Sequence, residues 1–202
     1  MISGKVGDCS VDILPVVNGL VSEAERVRGL IGDYEAYAVS LGIEGVQTIK
    51  NRANNEEEFE VSELDLVYAE HISKFGQVEF PSPAMCALID SVKEKGMNVI
   101  PLDMNDDDFT QMYCDTVGVT DFVKEHRLAK KGMKKHFRLD NPESFAKEWD
   151  EYVNTVKGYR ETSRNRERYM AAQIRDIARF KGNLLAVIEL ERVDGIVSEL
   201  GW

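Results

Sequence analysis

One carboxylate stands where acids often bind ligands or catalyse reactions in α/β proteins. Asp103 directly follows the apolar run Asn98 to Leu102, which predicts a short buried strand. Ligands usually bind at the edge of an α/β sheet where the strands end. Asp103 therefore suits a ligand site, and it equally suits a structural role as the cap of the next turn or helix.

The other reactive side chains near this strand form no recognisable motif. Cys9, Cys86 and Cys114 are odd in number and lack CxxC spacing, so they predict neither a disulfide framework nor a zinc site. The acidic run Asn105 to Asp108 lacks the alternating ligands, central glycine and closing glutamate of an EF-hand. Acids in this position are typical of a helix start, where the helix dipole favours negative charge.

A helix and a strand must position Asp103. The stretch from Pro81 to Gly96 predicts a helix because its apolar residues recur at i, i+3, i+4 and i+7. These residues are Met85, Leu88, Ile89 and Val92. The strand before Asp103 follows this helix almost at once.

The chain before Pro81 begins with a βαβ pattern. Val11 to Val17 predicts a strand, and its Pro15 indicates a strand end or an edge position. Glu23 to Ile31 predicts a helix and Ala36 to Leu41 a second strand. Such units cross over right-handed into parallel sheets. The pattern of Gly42 to Asn51 is ambiguous.

The whole pattern predicts one α/β domain over residues 1–202, with a mainly parallel central sheet, flanking helices and a helical insertion at about 109–156. The last long helix is expected to begin at a Ser163 cap, and Leu184 to Ile188 predicts a final buried strand. The polar, acidic stretch Asn54 to Glu58 predicts a surface turn.

Composition narrows the class of protein. Apolar residues make up 43% and charged residues 30% of the chain, which is typical of globular proteins. The apolar runs are far shorter than the roughly 20 residues of a membrane-spanning helix, and the N-terminus has no signal pattern. We therefore expect a cytoplasmic location and no membrane partner.

The net charge of −11 argues against general nucleic-acid binding, which needs an excess of basic residues. The charge is unevenly distributed, however. Val123 to Gly182 contains 16 basic and 9 acidic residues, a local net charge of +7, so the remainder carries −18. The segment Lys124 to Arg138 is especially basic, and a solvated helical surface or an anionic ligand would explain it.

Three segments together resemble the TraB family, whose wider relatives include the GumN proteins and the metal-dependent Tiki proteases. Pro81 to Met85 and Asp103 to Asn105 align with the family's Pro-Gly-x-Glu-Met helix start and the Asp-Arg-Asp that follows its strand. Asn165 to Ala171 aligns with its Glu-Arg-Asp-x-x-Met-Ala segment. Gly182 to Ile196 aligns with its Gly-Asn, its apolar strand and its Gly-x-Gly-His-x-x-Gly-Ile ending.

The departures from the family pattern fall on its histidines and acids. A metal centre needs several ligands that converge on one point, and the substituted side chains cannot supply them. The positions are Leu20, Ser40, Gly42, Ala84, Met104 and Arg192. The resemblance thus implies a member without catalytic residues, metal or cofactor that acts as a binding or scaffolding protein.

The alignment also implies which residues border the ligand-binding edge. They are Asp103, Arg166, Glu189, Glu191 and Arg192. Charges of both signs in one cleft tend to pair with each other, so a structural salt-bridge cluster is an equally good interpretation. The partner implied is a protein or a small anionic ligand.

Two alternatives stay open. In the first, Asp103, Glu189 and Glu191 hold Mg²⁺ or Mn²⁺, with a histidine from the insertion, in a metal-dependent hydrolase. In the second, the protein is an interaction module that forms a homodimer through the insertion. Trp149 and Tyr152 are the candidate anchors of that interface, although core packing suits Trp149 better.

Overall fold

The computed structural model describes residues 1–53 and 61–202, and the predicted turn at Asn54 to Glu58 lies outside these ranges. The described strands are β1 (Ile2–Val6), β2 (Cys9–Val16), β3 (Ala36–Val39), β4 (Ile100–Pro101) and β5 (Asn183–Glu189). The described helices are α1 (Ser22–Leu30), α2 (Ile43–Asn51), α3 (Glu63–Ile72), α4 (Pro83–Glu94), α5 (Asp106–Thr116), α6 (Val119–Gly132), α7 (Pro142–Val153), α8 (Lys157–Ala178) and α9 (Leu190–Leu200).

The strands form one mixed sheet in the order β1-β2-β5-β3-β4. β2, β5, β3 and β4 run parallel to one another, and β1 pairs antiparallel with β2. The predicted α/β fold with a mainly parallel sheet is therefore confirmed. The four parallel strands end together at one edge, which we call the carboxyl edge.

Helices cover both faces of this sheet. Along β5, Leu185 and Val187 pack beneath α1, α2 and α4, while Leu184, Ala186 and Ile188 pack beneath α8 and α9. Because both faces of the strand are buried, its sequence is continuously apolar rather than alternating. The apolar run Leu184 to Ile188 therefore predicts an interior strand.

The three helices between β4 and α8 correspond to the predicted insertion. α7 packs into an aromatic cluster that also includes Tyr68 of α3. α5 and α6 contribute instead to a second cluster around Tyr159 of α8. The Trp149 ring lies 6.1 Å from that of Tyr68 and 5.6 Å from that of Phe137, and Tyr152 packs 5.6 Å from Phe137. Trp149 and Tyr152, the candidate interface anchors, are thus engaged in packing within the chain.

Some local predictions differ from the structure. β1 is not predicted from the sequence, because none of its residues is fully buried and it contains a glycine. Pro15 lies in β2, which is an interior strand and not an edge strand. The pairing of β2 with β1 stops at Ile13, however, so that Pro15 lies two residues beyond the last pair with β1. Ser163 lies inside α8 and caps no helix, since α8 begins six residues earlier at Lys157.

No helix in the described ranges has the length and apolarity needed to cross a membrane.

Gly42 allows the ends of β3 and β4 to meet. A Cβ at this position would overlap the backbone carbonyl oxygen of Met104, and Asp103 donates its backbone N–H to the Leu41 carbonyl at 3.2 Å. Backbone atoms cannot rotate away as a side chain can. The loop that carries Asp103 therefore requires a glycine opposite it.

We expect Gly42→Ala to lower the free energy of unfolding by about 1–3 kcal/mol, the usual cost of overpacking. Gly45→Ala, inside α2, is the matched control, because its Cβ would make ordinary contacts with Leu41. That substitution should gain up to about 1 kcal/mol from helix propensity. Urea unfolding of both variants measures the difference, and equal stabilities would contradict the close approach.

Candidate functional site

An ion cluster occupies the carboxyl edge of the sheet. Asp103 follows β4, Glu189 ends β5, and Arg166 reaches them from α8. The Nε of Arg166 donates to Oδ2 of Asp103 at 2.6 Å, and its Nη2 lies 3.4 Å from Oε2 of Glu189. We call these three residues the Arg166 cluster.

Hydrogen bonds at the ends of the strands hold the two acidic residues of this cluster. Glu189 donates its backbone N–H to the Oγ of Ser40, directly after β3, at 3.1 Å. Oδ1 of Asp103 accepts from the backbone N–H of Met104 at 2.9 Å. The side-chain positions therefore follow from the parallel arrangement of the strands.

A second cluster centres on Arg192, which is 3% exposed. Its Nη1 donates to Oε1 of Glu167 on α8 at 2.8 Å, and its Nη2 donates to Asp150 on α7. The side chain of Glu167 lies flat against Gly195 of α9, where a Cβ would overlap it. These residues, the Arg192 cluster, join the three helices next to the carboxyl edge.

Glu191 lies between the two clusters and has an unusual environment. Its Oε2 is shielded from solvent and accepts no hydrogen bond from the residues that the structure describes. Burial, with a smaller contribution from the charge of Glu189, raises the pKa of Glu191 to about 8. Glu191 thus carries a proton more readily than an ordinary glutamate.

Burial also shifts the other charged groups. It raises the pKa of Glu167 to about 7 and lowers the pKa of Arg192 to about 10. It raises the pKa of Glu189 too, although Arg166 acts in the opposite direction. Burial alone would lower the pKa of Arg166, but the charges of Glu189 and Asp103 outweigh it and raise that pKa.

A cavity of about 250 Å³ opens beside the Arg192 cluster. Its only basic lining residue, Lys147, is paired with Asp194 at 2.7 Å. The cavity is lined by Lys147, Asp150, Glu151, Glu167, Glu191, Asp194 and Gly195. This lining is acidic, which disfavours an anionic ligand.

The carboxylates of the edge are not arranged as a metal site. Across residues 1–53 and 61–202, no group of three or more His, Cys, Asp or Glu side chains could hold a metal ion. Two of the three acids proposed for Mg²⁺ or Mn²⁺, Asp103 and Glu189, both contact the guanidinium of Arg166. Of the histidines, His126 contacts Glu63, and His71 packs against the ring of Phe137.

The structure thus brings the predicted residues together in two adjoining groups. Asp103, Arg166 and Glu189 form one, and Arg192 belongs to the other. Sequence reasoning missed Asp150 and Glu167, the acids that pair with Arg192. Both lie on helices with many charged residues, and nothing in their spacing indicates that they face inward.

Comparison of the chain with protein-family models, curated proteins and solved structures finds no match. The resemblance to the TraB family therefore stays a prediction from the sequence.

Arg166→Met should destabilise the protein strongly, because it leaves two partly buried carboxylates without their cation. The expected loss is about 3–5 kcal/mol at neutral pH, as for other broken buried ion pairs. The loss should shrink in acid, where the stranded carboxyls take up protons. Urea unfolding at two pH values measures both effects.

Arg168→Met is the matched control on the same helix. Arg168 has a side chain that is 62% exposed and lies 3.4 Å from Glu199, so its loss should cost about 0–1 kcal/mol. An Arg166 variant no less stable than this control would show that the Arg166 cluster is not a structural ion pair.

The protonation of Glu191 predicts how stability changes with pH. Its pKa is raised in the folded state, to about 8, so the folded protein retains a proton that the unfolded chain releases. The stability from this proton is complete below about pH 4 and disappears as pH rises to about 8. Glu191→Gln should flatten this decline and make the protein more stable than the parent above about pH 8.

Thermal unfolding across this pH range provides the measurement. Glu94→Gln, at an exposed position on α4, should leave the pH dependence unchanged. Parallel pH curves for the parent and Glu191→Gln would rule out a raised pKa at Glu191.

Proposed function

We propose that this protein is a non-catalytic binding or scaffolding protein of the cytoplasm, built on a TraB-like α/β framework. The observation that carries the proposal is the place of Arg166. Its guanidinium lies between Asp103 and Glu189, at the edge where the resemblance would place a metal centre. The cation that pairs with those carboxylates is therefore part of the protein itself.

This arrangement is poorly suited to metal-assisted hydrolysis. A catalytic metal needs converging ligands and an open position at which water becomes a nucleophile. The guanidinium pairs with two of the acids through its N–H donors, and arginine does not lose its proton in proteins. The chemistry that remains at the edge is hydrogen bonding and charge pairing, which serve binding.

A protein is the partner that we favour over a small anion. The cavity beside the Arg192 cluster has mostly acidic lining, and both Arg166 and Arg192 are already paired with carboxylates. An anion would thus meet repulsion without a free cation to offset it. A partner protein can contact the rim through hydrogen bonds and basic side chains, and a second copy of the chain would be one such partner.

One observation favours the alternative of a hydrolase. Glu167 and Glu191 both line the cavity and both have raised pKa values, as general acids in active sites often do. In that alternative the metal ligands are Asp103, Glu189 and Glu191, of which the first two contact Arg166 in the structure.

Metal analysis distinguishes the two functions. We expect the purified protein to contain no stoichiometric metal, and Mg²⁺, Mn²⁺ or Zn²⁺ to leave its thermal midpoint unchanged, because a ligand of the native state must raise it. A rise with one ion that is abolished by Asp103→Asn, but not by Asp107→Asn at the exposed start of α5, would overturn the proposal and establish a metal site, as the hydrolase requires.

A further inference from the structure

A larger cavity lies at the opposite edge of the sheet, where β2 and β5 begin. Its volume is about 560 Å³, within the range of small-molecule sites. One wall is the turn between β1 and β2, around Gly7 and Asp8, and the other is the end of α8 with the loop to β5. We call it the amino-edge pocket.

The charge of this pocket is positive. Arg175, Arg179 and Lys181 line it, against the single acid Asp8. Arg179 has a side chain that is 74% exposed and a contact with Asp176 at 3.3 Å, and no acidic side chain of the described residues pairs with Lys181. At least two cations are therefore available to a ligand.

A helix end attracts basic residues by itself, since its carbonyl groups carry partial negative charge. That effect accounts for Arg175, which also donates to the Glu199 carbonyl, and for Arg179. It does not account for Lys181, which lies beyond the end of α8. The partial charge of the helix end also does not account for the aromatic residue between Arg179 and Lys181.

Phe180 is that ring, and it is 82% exposed. Solvent-exposed aromatic rings beside basic side chains are the combination that binds a planar base together with its phosphate. The base stacks on the ring, and the cations pair with the phosphate oxygens. Because Phe180 lines the cavity beside Arg179 and Lys181, its exposed ring is placed where it can stack on such a base.

We propose that the amino-edge pocket binds a mononucleotide, with its base on Phe180 and its phosphate on Arg179 and Lys181. A single nucleotide suits the pocket better than a nucleic-acid strand, because a strand would bring many phosphates to a protein with a net charge of −11. This inference is independent of the carboxyl edge and of the function proposed for it.

Calorimetric titration of the intact chain with AMP, GMP, CMP and UMP tests the proposal. At least one nucleotide should bind, and it should bind more tightly than inorganic phosphate. Phe180→Ala should weaken the affinity about tenfold, as loss of a stacking platform does, and Lys181→Gln should weaken it as well. Added salt should reduce the affinity of the parent protein.

Two exposed residues of α6 provide matched controls. Phe122→Ala removes an aromatic ring that is 53% exposed, and Arg127→Gln removes an exposed cation, both away from the pocket. Neither should change nucleotide affinity. Failure of all four nucleotides to bind, an unchanged affinity in Phe180→Ala, equal affinity for phosphate alone, or tighter binding of a single-stranded oligonucleotide would each overturn the proposal.

Discussion

The ion pair between Arg166 and Asp103 sets the structure of the carboxyl edge. Removing a guanidinium and a carboxylate from water costs several kcal/mol for each ion, which only close pairing offsets. The 2.6 Å contact, with Glu189 at 3.4 Å, supplies that pairing. Where α8 meets the ends of β4 and β5, the carboxylates therefore depend on Arg166 for their pairing.

The packing around the Arg166 cluster follows from the need for close pairing between buried charges. Ion pairs of this kind need short distances, and short distances need small residues where elements cross. Gly42 lets the loops after β3 and β4 meet, and Gly195 lets Glu167 lie flat between α8 and α9. The site is a set of charges held by close backbone approach, a geometry that suits a fixed binding surface.

The sequence predicts the strands and helices around the site better than the side-chain contacts within it. β5 and α4 are predictable because burial leaves a plain apolar pattern, and Asp103 follows from the end of its strand, whereas Glu189 comes from the family resemblance. The pairing of Arg192 with Asp150 and Glu167 depends on how three helices pack, which no spacing within one helix records. The exposed strand β1 was missed for the opposite reason, because little of it is buried.

The Arg166 cluster also reduces how much of the local positive charge is available at the surface. The segment from Val123 to Gly182 has a local net charge of +7, which suggests a broad basic surface. α8 contributes much of that charge, yet Arg166 is enclosed by carboxylates and Arg175 donates to a backbone carbonyl. A guanidinium already paired in this way attracts phosphate weakly, because its field is largely cancelled. The basic surface is therefore smaller than the sequence implies.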